Sequence, residues 1–200
     1  VELKDTYLTI ARESEGFYKE KGSKFMAFAY PVSEEESVKK RIADLKRKYY
    51  DARHYCYAYI MGFDGGNYRA NDDGEPGHSA GDPILGQIRS NELTDTLIVV
   101  IRYFGGTKLG VGGLIQAYKT AAADAMQNNQ IVQKLIFKEL HIEFEYTQMN
   151  LVMKLIKDHE LQIMDQKLEM ACEMRLGVRL SMEKQVVDII NDTQGLTILT

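Results

Sequence analysis

The sequence predicts an α+β fold in two domains, residues 1–132 and 133–200. Two observations carry that prediction. In the first part an apolar run, Thr96 to Ile101, passes through a glycine-rich segment into a helical pattern from Leu114 to Asn129. In the second part, stretches of period 2 and period 3.6 alternate in the order β-α-β-β-α-β, the split βαβ arrangement. A length of 200 residues suits one large or two small domains, and an apolar fraction of 44% is ordinary for a folded chain.

Residues 1–22 are polar and mixed, and end in Glu20-Lys-Gly22. Ser23 to Tyr30 reads as a strand stopped by Pro31. Ser33 and Glu36 have capping-box spacing ahead of a helix with Val38, Ile42, Leu45 and Tyr49 on one face. His54 to Met61 is a strand with Tyr55, Tyr57 and Tyr59 on one side and Cys56, Ala58 and Ile60 on the other. The turn Asp64-Gly65-Gly66 leads into a short strand, Tyr68 to Ala70. A polar loop, Asn71 to Gly81, follows, and Asp82-Pro83 reads as the N-cap and first position of a short helix.

In the second part Leu140, Ile142, Phe144 and Tyr146 alternate with polar residues as a strand does. Thr147 is placed to cap a helix carrying Leu151, Val152, Leu155 and Ile156. Strands follow at Leu161–Leu168 and Met170–Leu180. Ser181 is placed to cap a helix with Val186, Val187 and Ile190, Gly195 ends it, and Leu196–Leu199 is the last strand. Both helices should cover one sheet face and leave Glu143, Glu145, Glu173 and Arg175 on the open one.

Composition narrows the function. The formal net charge of −4 argues against a generally basic nucleic-acid module, although Lys39, Lys40, Arg41, Lys46, Arg47 and Lys48 form a local basic face. Cys56 and Cys172 are far apart and read as buried thiols, and the scattered histidines give no zinc pattern. No apolar run reaches membrane-spanning length and no leader is evident, so the cytoplasm is the expected compartment.

Three groups of residues are candidates for function. Asp72, Asp73 and Glu75 are close enough to repel one another unless a cation joins them. Magnesium, or an arginine or lysine of the chain itself, would serve. Gly105, Gly106, Gly110, Gly112 and Gly113 occupy one strand-to-helix passage, where positive φ or close approach is required. Their amides, with Lys108 and Arg102, could hold an anion at the helix start. The segment is neither a P-loop, since Val111 follows Gly110, nor a dinucleotide fingerprint. His54 and His78 are the imidazoles to weigh, with Ser79 beside His78 as a nucleophile.

Four segments together resemble a known family: Gly22 to Ala27, Ala52 to Ala58, Asp72 to Pro83, and Arg102 to Tyr118. The likeness is to the IMPACT family, which includes the YigZ proteins. It implies a first domain similar to the second domain of ribosomal protein S5. It implies a second, ferredoxin-like domain similar to domain V of elongation factor G. Eukaryotic members regulate translation, so a translation-linked regulatory or RNA- or ribosome-binding role is implied here, with ribosome, RNA or a translation protein as partner. Whether the protein is an enzyme stays open, the alternative being metal-assisted action on a phosphorylated or nucleotide substrate. No cofactor beyond that metal is implied. The motif positions carried over are His54, Asp72, Asp73, Glu75, Pro76, Gly81, Pro83, Arg102, Phe104, Gly105, Gly106, Lys108, Gly110, Gly112, Gly113 and Tyr118. This chain departs at His78, where the family has glycine, and at Gln116, where it has arginine.

Overall fold

The computed structural model describes residues 5–199. The fold is α+β, in two compact units. One unit spans Tyr7–Lys134, and Asp5 and Thr6 group with residues 135–199 in the other.

The first unit is built on five antiparallel-paired strands in the order β2 (Ser14–Glu20), β3 (Ser23–Pro31), β6 (Thr96–Tyr103), β4 (His54–Met61), β5 (Asn67–Asn71). The central strand β6 is buried almost end to end, which explains its uninterrupted apolar run. Two helices, α2 (Gly81–Ser90) and α3 (Gly110–Gln127), pack on one face over Phe25, Cys56, Ala58, Ile98 and Val100. The helix α1 (Glu35–Lys48) packs on the other over Phe28, Tyr30, Tyr55, Tyr59 and Val99. The tyrosine and cysteine faces of β4 therefore point to opposite layers, as the alternation requires.

The stretch before Gly22 holds two strands, β1 (Thr6–Ile10) and β2, that its polarity concealed. β2 is an edge strand, and its inward positions include Gly16, where an added Cβ would lie 2.2 Å from the Ala125 backbone nitrogen of α3. A strand that meets a helix through glycine shows little apolar alternation. β1 pairs with β7 (Ile131–Leu135) in a separate two-stranded ribbon.

Helix starts depart most from expectation. α1 begins after Glu34 with no side-chain cap, so the Ser33–Glu36 box does not form. α2 begins at Gly81, not at Pro83, and Asp82 is inside it. α3 begins at Gly110, one turn earlier than Leu114, so three of the glycines are helical.

The second unit has the strand order β11 (Leu196–Leu199), β8 (Phe137–Glu145), β10 (Ala171–Arg179), β9 (Gln162–Leu168), all antiparallel neighbours. The helices α4 (Met149–Asp158) and α5 (Glu183–Asp192) share one core with Leu140, Ile142, Phe144, Met174 and Leu176. Each helix is entered through a short 3-10 turn, so neither Thr147 nor Ser181 is a cap. Ser181 instead donates to Asp5, which also accepts from Arg179 at 2.9 Å. Met170 lies outside β10 and is almost fully exposed.

Candidate functional site

The register of the large sheet brings the chemistry-bearing residues together. Phe25, Arg102 and His54 are aligned across β3, β6 and β4. Directly opposed residues share a face, so these three lie in one row at the end of the sheet, on the α2–α3 side. Cys56 is two residues along β4 on the same face, and Tyr118 of α3 packs edge-on to Phe25 with ring centroids 5.1 Å apart.

The acidic loop closes over this row, and its three carboxylates part company. Glu75 turns inward and takes two hydrogen bonds from Arg102 Nη1, at 2.7 and 3.0 Å, and one from the Tyr118 hydroxyl at 2.7 Å. Both charged side chains are buried, with exposures of 8% for Arg102 and 4% for Glu75. The Cys56 thiol contacts the Tyr118 hydroxyl at 3.4 Å and the Asp72 carbonyl at 3.0 Å. Burial pushes both the thiol and the phenol far up, so each stays protonated.

Asp72 points elsewhere. Its carboxylate accepts from the backbone N–H of His78, Ala80 and Gly81 at 2.8 to 3.0 Å. It caps α2 from outside the helix, which explains why neither Ala80 nor Asp82 does so. Burial works against this carboxylate, yet the three backbone donors outweigh it and hold the pKa below the usual range. Asp73 accepts from the Tyr55 N–H at 2.7 Å, and its carbonyl accepts from His54 Nδ1 at 2.9 Å. Of the alternatives for these charges, the structure shows the one from within the chain. A chain arginine and backbone amides answer the three charges, and among the described residues no group of three or more His, Cys, Asp or Glu is arranged to hold a metal.

The other sequence candidates separate. His78 is exposed, pairs with Asp82 at 2.6 Å, and has φ of 65°. That is a left-handed backbone position, where glycine is the unstrained choice. Ser79 is buried and donates to the Pro76 carbonyl, so the two are not a base–nucleophile pair. Gly105 serves close packing: an added Cβ would lie 1.9 Å from the Gly22 carbonyl carbon. Gly106 and Gly110 have positive φ, Gly112 is open to solvent, and Gly113 rests on Leu109. Lys108 is exposed while Arg102 is committed to Glu75, so the two do not act as one anion clamp. Gln116 is on the exposed side of α3 and bonds Thr120, away from the acidic loop.

Sequence reasoning placed Cys56 in the core without linking it to the site. Its i+2 spacing from His54, on the strand facing Arg102, was the available signal. Also missed was a cavity of about 290 Å³ at this end of the sheet, lined by Asp51, Arg53, His54, Arg102, Tyr103 and Phe104. The Tyr103 hydroxyl donates to Asp51 at 2.7 Å, and burial with that carboxylate pushes its pKa up to about 12.

Elsewhere, three of the six basic residues of α1 are paired with Glu36, Glu13 and Asp44. The basic face is interrupted by acid. In the second unit the open sheet face is internally paired too, His141 with Glu173 at 3.0 Å and Arg175 with Glu139 at 3.7 Å. A cavity of about 520 Å³ lies there, between Glu143, Glu145, Tyr146 and Met170.

The glycine passage and the acidic loop both fall inside the region matched by the model of the Impact N-terminal domain, residues 21–126. The chain belongs to the IMPACT family. It is similar to IMPACT family member YvyE of Bacillus subtilis, with 35% identity over 142 residues. That match covers 71% of this chain and 65% of YvyE, just under two thirds of that relative's length. An IMPACT family member of Haemophilus influenzae is 31% identical over 163 residues, 79% of this chain and 78% of that protein. A crystal structure described as that of a hypothetical protein covers 99% of this chain and 98% of its own, with TM-score 0.78 and 25% identity.

Proposed function

We propose that this protein is a translation-linked binding protein that works by contact with the ribosome and without catalysis. One observation carries the second half of that reading. The nucleophiles and the inward carboxylate of the motifs are sealed: Cys56 and Tyr118 are fully buried and protonated, Ser79 is buried on the Pro76 carbonyl and Glu75 is locked to Arg102, so the reachable imidazoles, His54 and His78, have no nucleophile paired with them. Catalysis requires a group poised at a reachable position. The exposed side of the same motif offers contact surface instead. Phe104, Val111 and Ile115 are exposed apolar residues, with Lys108 and Lys119 beside them in sequence.

The ribosome as target comes from family membership, whose eukaryotic branch regulates translation by the resemblance set out above. The finer fold likenesses, to domain 2 of ribosomal protein S5 and, through a ferredoxin-like second unit, to domain V of elongation factor G, belong to this proposal, as does a cytoplasmic location. The strand order of the second unit supports the ferredoxin-like part. No described helix is long and apolar enough to cross a membrane. Binding to purified ribosomal subunits across a salt series tests the reading. Saturable binding at low salt supports it, and no binding at low salt removes it.

A further inference from the structure

We propose that the cavity at the end of β4 and β6 binds a phosphate monoester of mononucleotide size, its phosphate held by Arg53, His54 and Arg102 and its apolar part laid against Phe104. The inference is independent of the ribosome reading.

The cavity is lined by two arginines and an imidazole against a single carboxylate, Asp51, which already accepts the Tyr103 hydroxyl. Arg53 is exposed and makes no ion pair among the described residues. Arg102 is 7% exposed, and its Nε has no hydrogen-bond partner although the atom is buried. Buried guanidinium donors are normally satisfied, so the Arg102 side chain, which lines the cavity, is one acceptor short among the described residues. His54 points the same way. A carbonyl can only accept, so Nδ1 donates to Asp73, and Nε2, unbonded among the described residues, is in the neutral ring an acceptor for the P–OH of a monoester monoanion. Arginine matches phosphate oxygens in charge and in geometry.

Size and surroundings select the ligand. A volume of about 290 Å³ is near the lower end for small-molecule sites, which fits a mononucleotide better than a dinucleotide. Phe104 is 58% exposed, and the Arg102 guanidinium is 5.7 Å from its ring centroid, so a flat apolar face borders the cationic one. A terminal phosphate on an RNA chain has the same chemistry. A chain of net charge −4 with an interrupted basic helix offers no continuous basic track for a free RNA strand leading away from the cavity, and that favours the small ligand.

Calorimetric titration of the full chain with AMP, inorganic phosphate and adenosine tests the proposal. AMP should bind more tightly than phosphate, and adenosine should give no saturable binding. Arg53→Gln should weaken AMP by about tenfold, as expected for loss of one charge-assisted contact. Phe104→Ala should weaken AMP and leave inorganic phosphate unchanged. Both positions are exposed, and unchanged circular dichroism and unfolding midpoint confirm that each variant is folded. Absence of AMP binding at millimolar concentration overturns the proposal, as does AMP binding indifferent to both substitutions. A 5′-phosphorylated oligoribonucleotide that binds more tightly than AMP, with a steep salt dependence, overturns the small-molecule assignment.

Discussion

Arg102 and Glu75 form a buried ion pair whose two members come from a central strand and a loop, and neither is replaceable alone. Removing one partner from such a pair leaves the other charge uncompensated in a poorly solvated site. Glu75→Gln should therefore destabilise the first unit by about 3–5 kcal/mol in urea unfolding. A loss below about 1 kcal/mol, the scale of a surface pair, would contradict the burial assigned here. His78 is the opposite case. Its hydrogen bond to Asp82, then the charge on that residue, raises its pKa above the ordinary imidazole value, but the pair is open to water. Its contribution is present at low pH and is lost as pH rises through the raised value in the folded state. An NMR titration should show His78 titrating above an ordinary histidine, and Asp82→Asn should bring it back. The adjacency of Asp72, Asp73 and Glu75 was legible in the sequence, but their divergence was not. Which way each side chain points depends on Asn71, whose Oδ1 accepts the Asp73 N–H, and on the distant Arg102.

At the scale of elements, strands with two clear faces were legible, β4 and β6 above all, and so was the order of the whole second unit. Helix starts were not. α2 takes its cap from Asp72, nine residues before Gly81, so no local spacing rule points to it. Asp72→Ala should cost about 2 kcal/mol, the upper end for loss of an N-cap, measured by thermal or urea unfolding. The carboxylate's pKa is lowered in the fold, so its contribution is present above the ordinary carboxylate range. It should disappear as pH falls through the lowered value. Gly105 shows a second kind of hidden information. The close approach of Gly22 to Gly105 joins the β2–β3 turn to the end of β6, and a sequence window around either glycine sees only a turn. Gly105→Ala should destabilise the first unit more than Gly112→Ala, since an added Cβ at Gly112 meets nothing within 4 Å. Equal effects in parallel unfolding curves would count against that packing role.

For the whole molecule, the family and the α+β class were legible because the motif positions hold the fold together. The glycines admit a neighbouring backbone or a left-handed turn, and Arg102, Glu75 and Tyr118 form one buried network. Motifs of this kind identify a family more readily than they name a chemistry. The proposed contact surface is on their exposed side, where sequence pattern carries little signal. Co-sedimentation of the full chain with ribosomal subunits at low salt tests that central claim most directly, comparing the natural sequence with a Val111→Glu/Ile115→Glu variant. The account predicts saturable binding by the natural chain and loss of about tenfold or more in affinity for the variant, as for removal of an apolar contact centre. Failure of the natural chain to bind, or equal binding by a correctly folded variant, would contradict it.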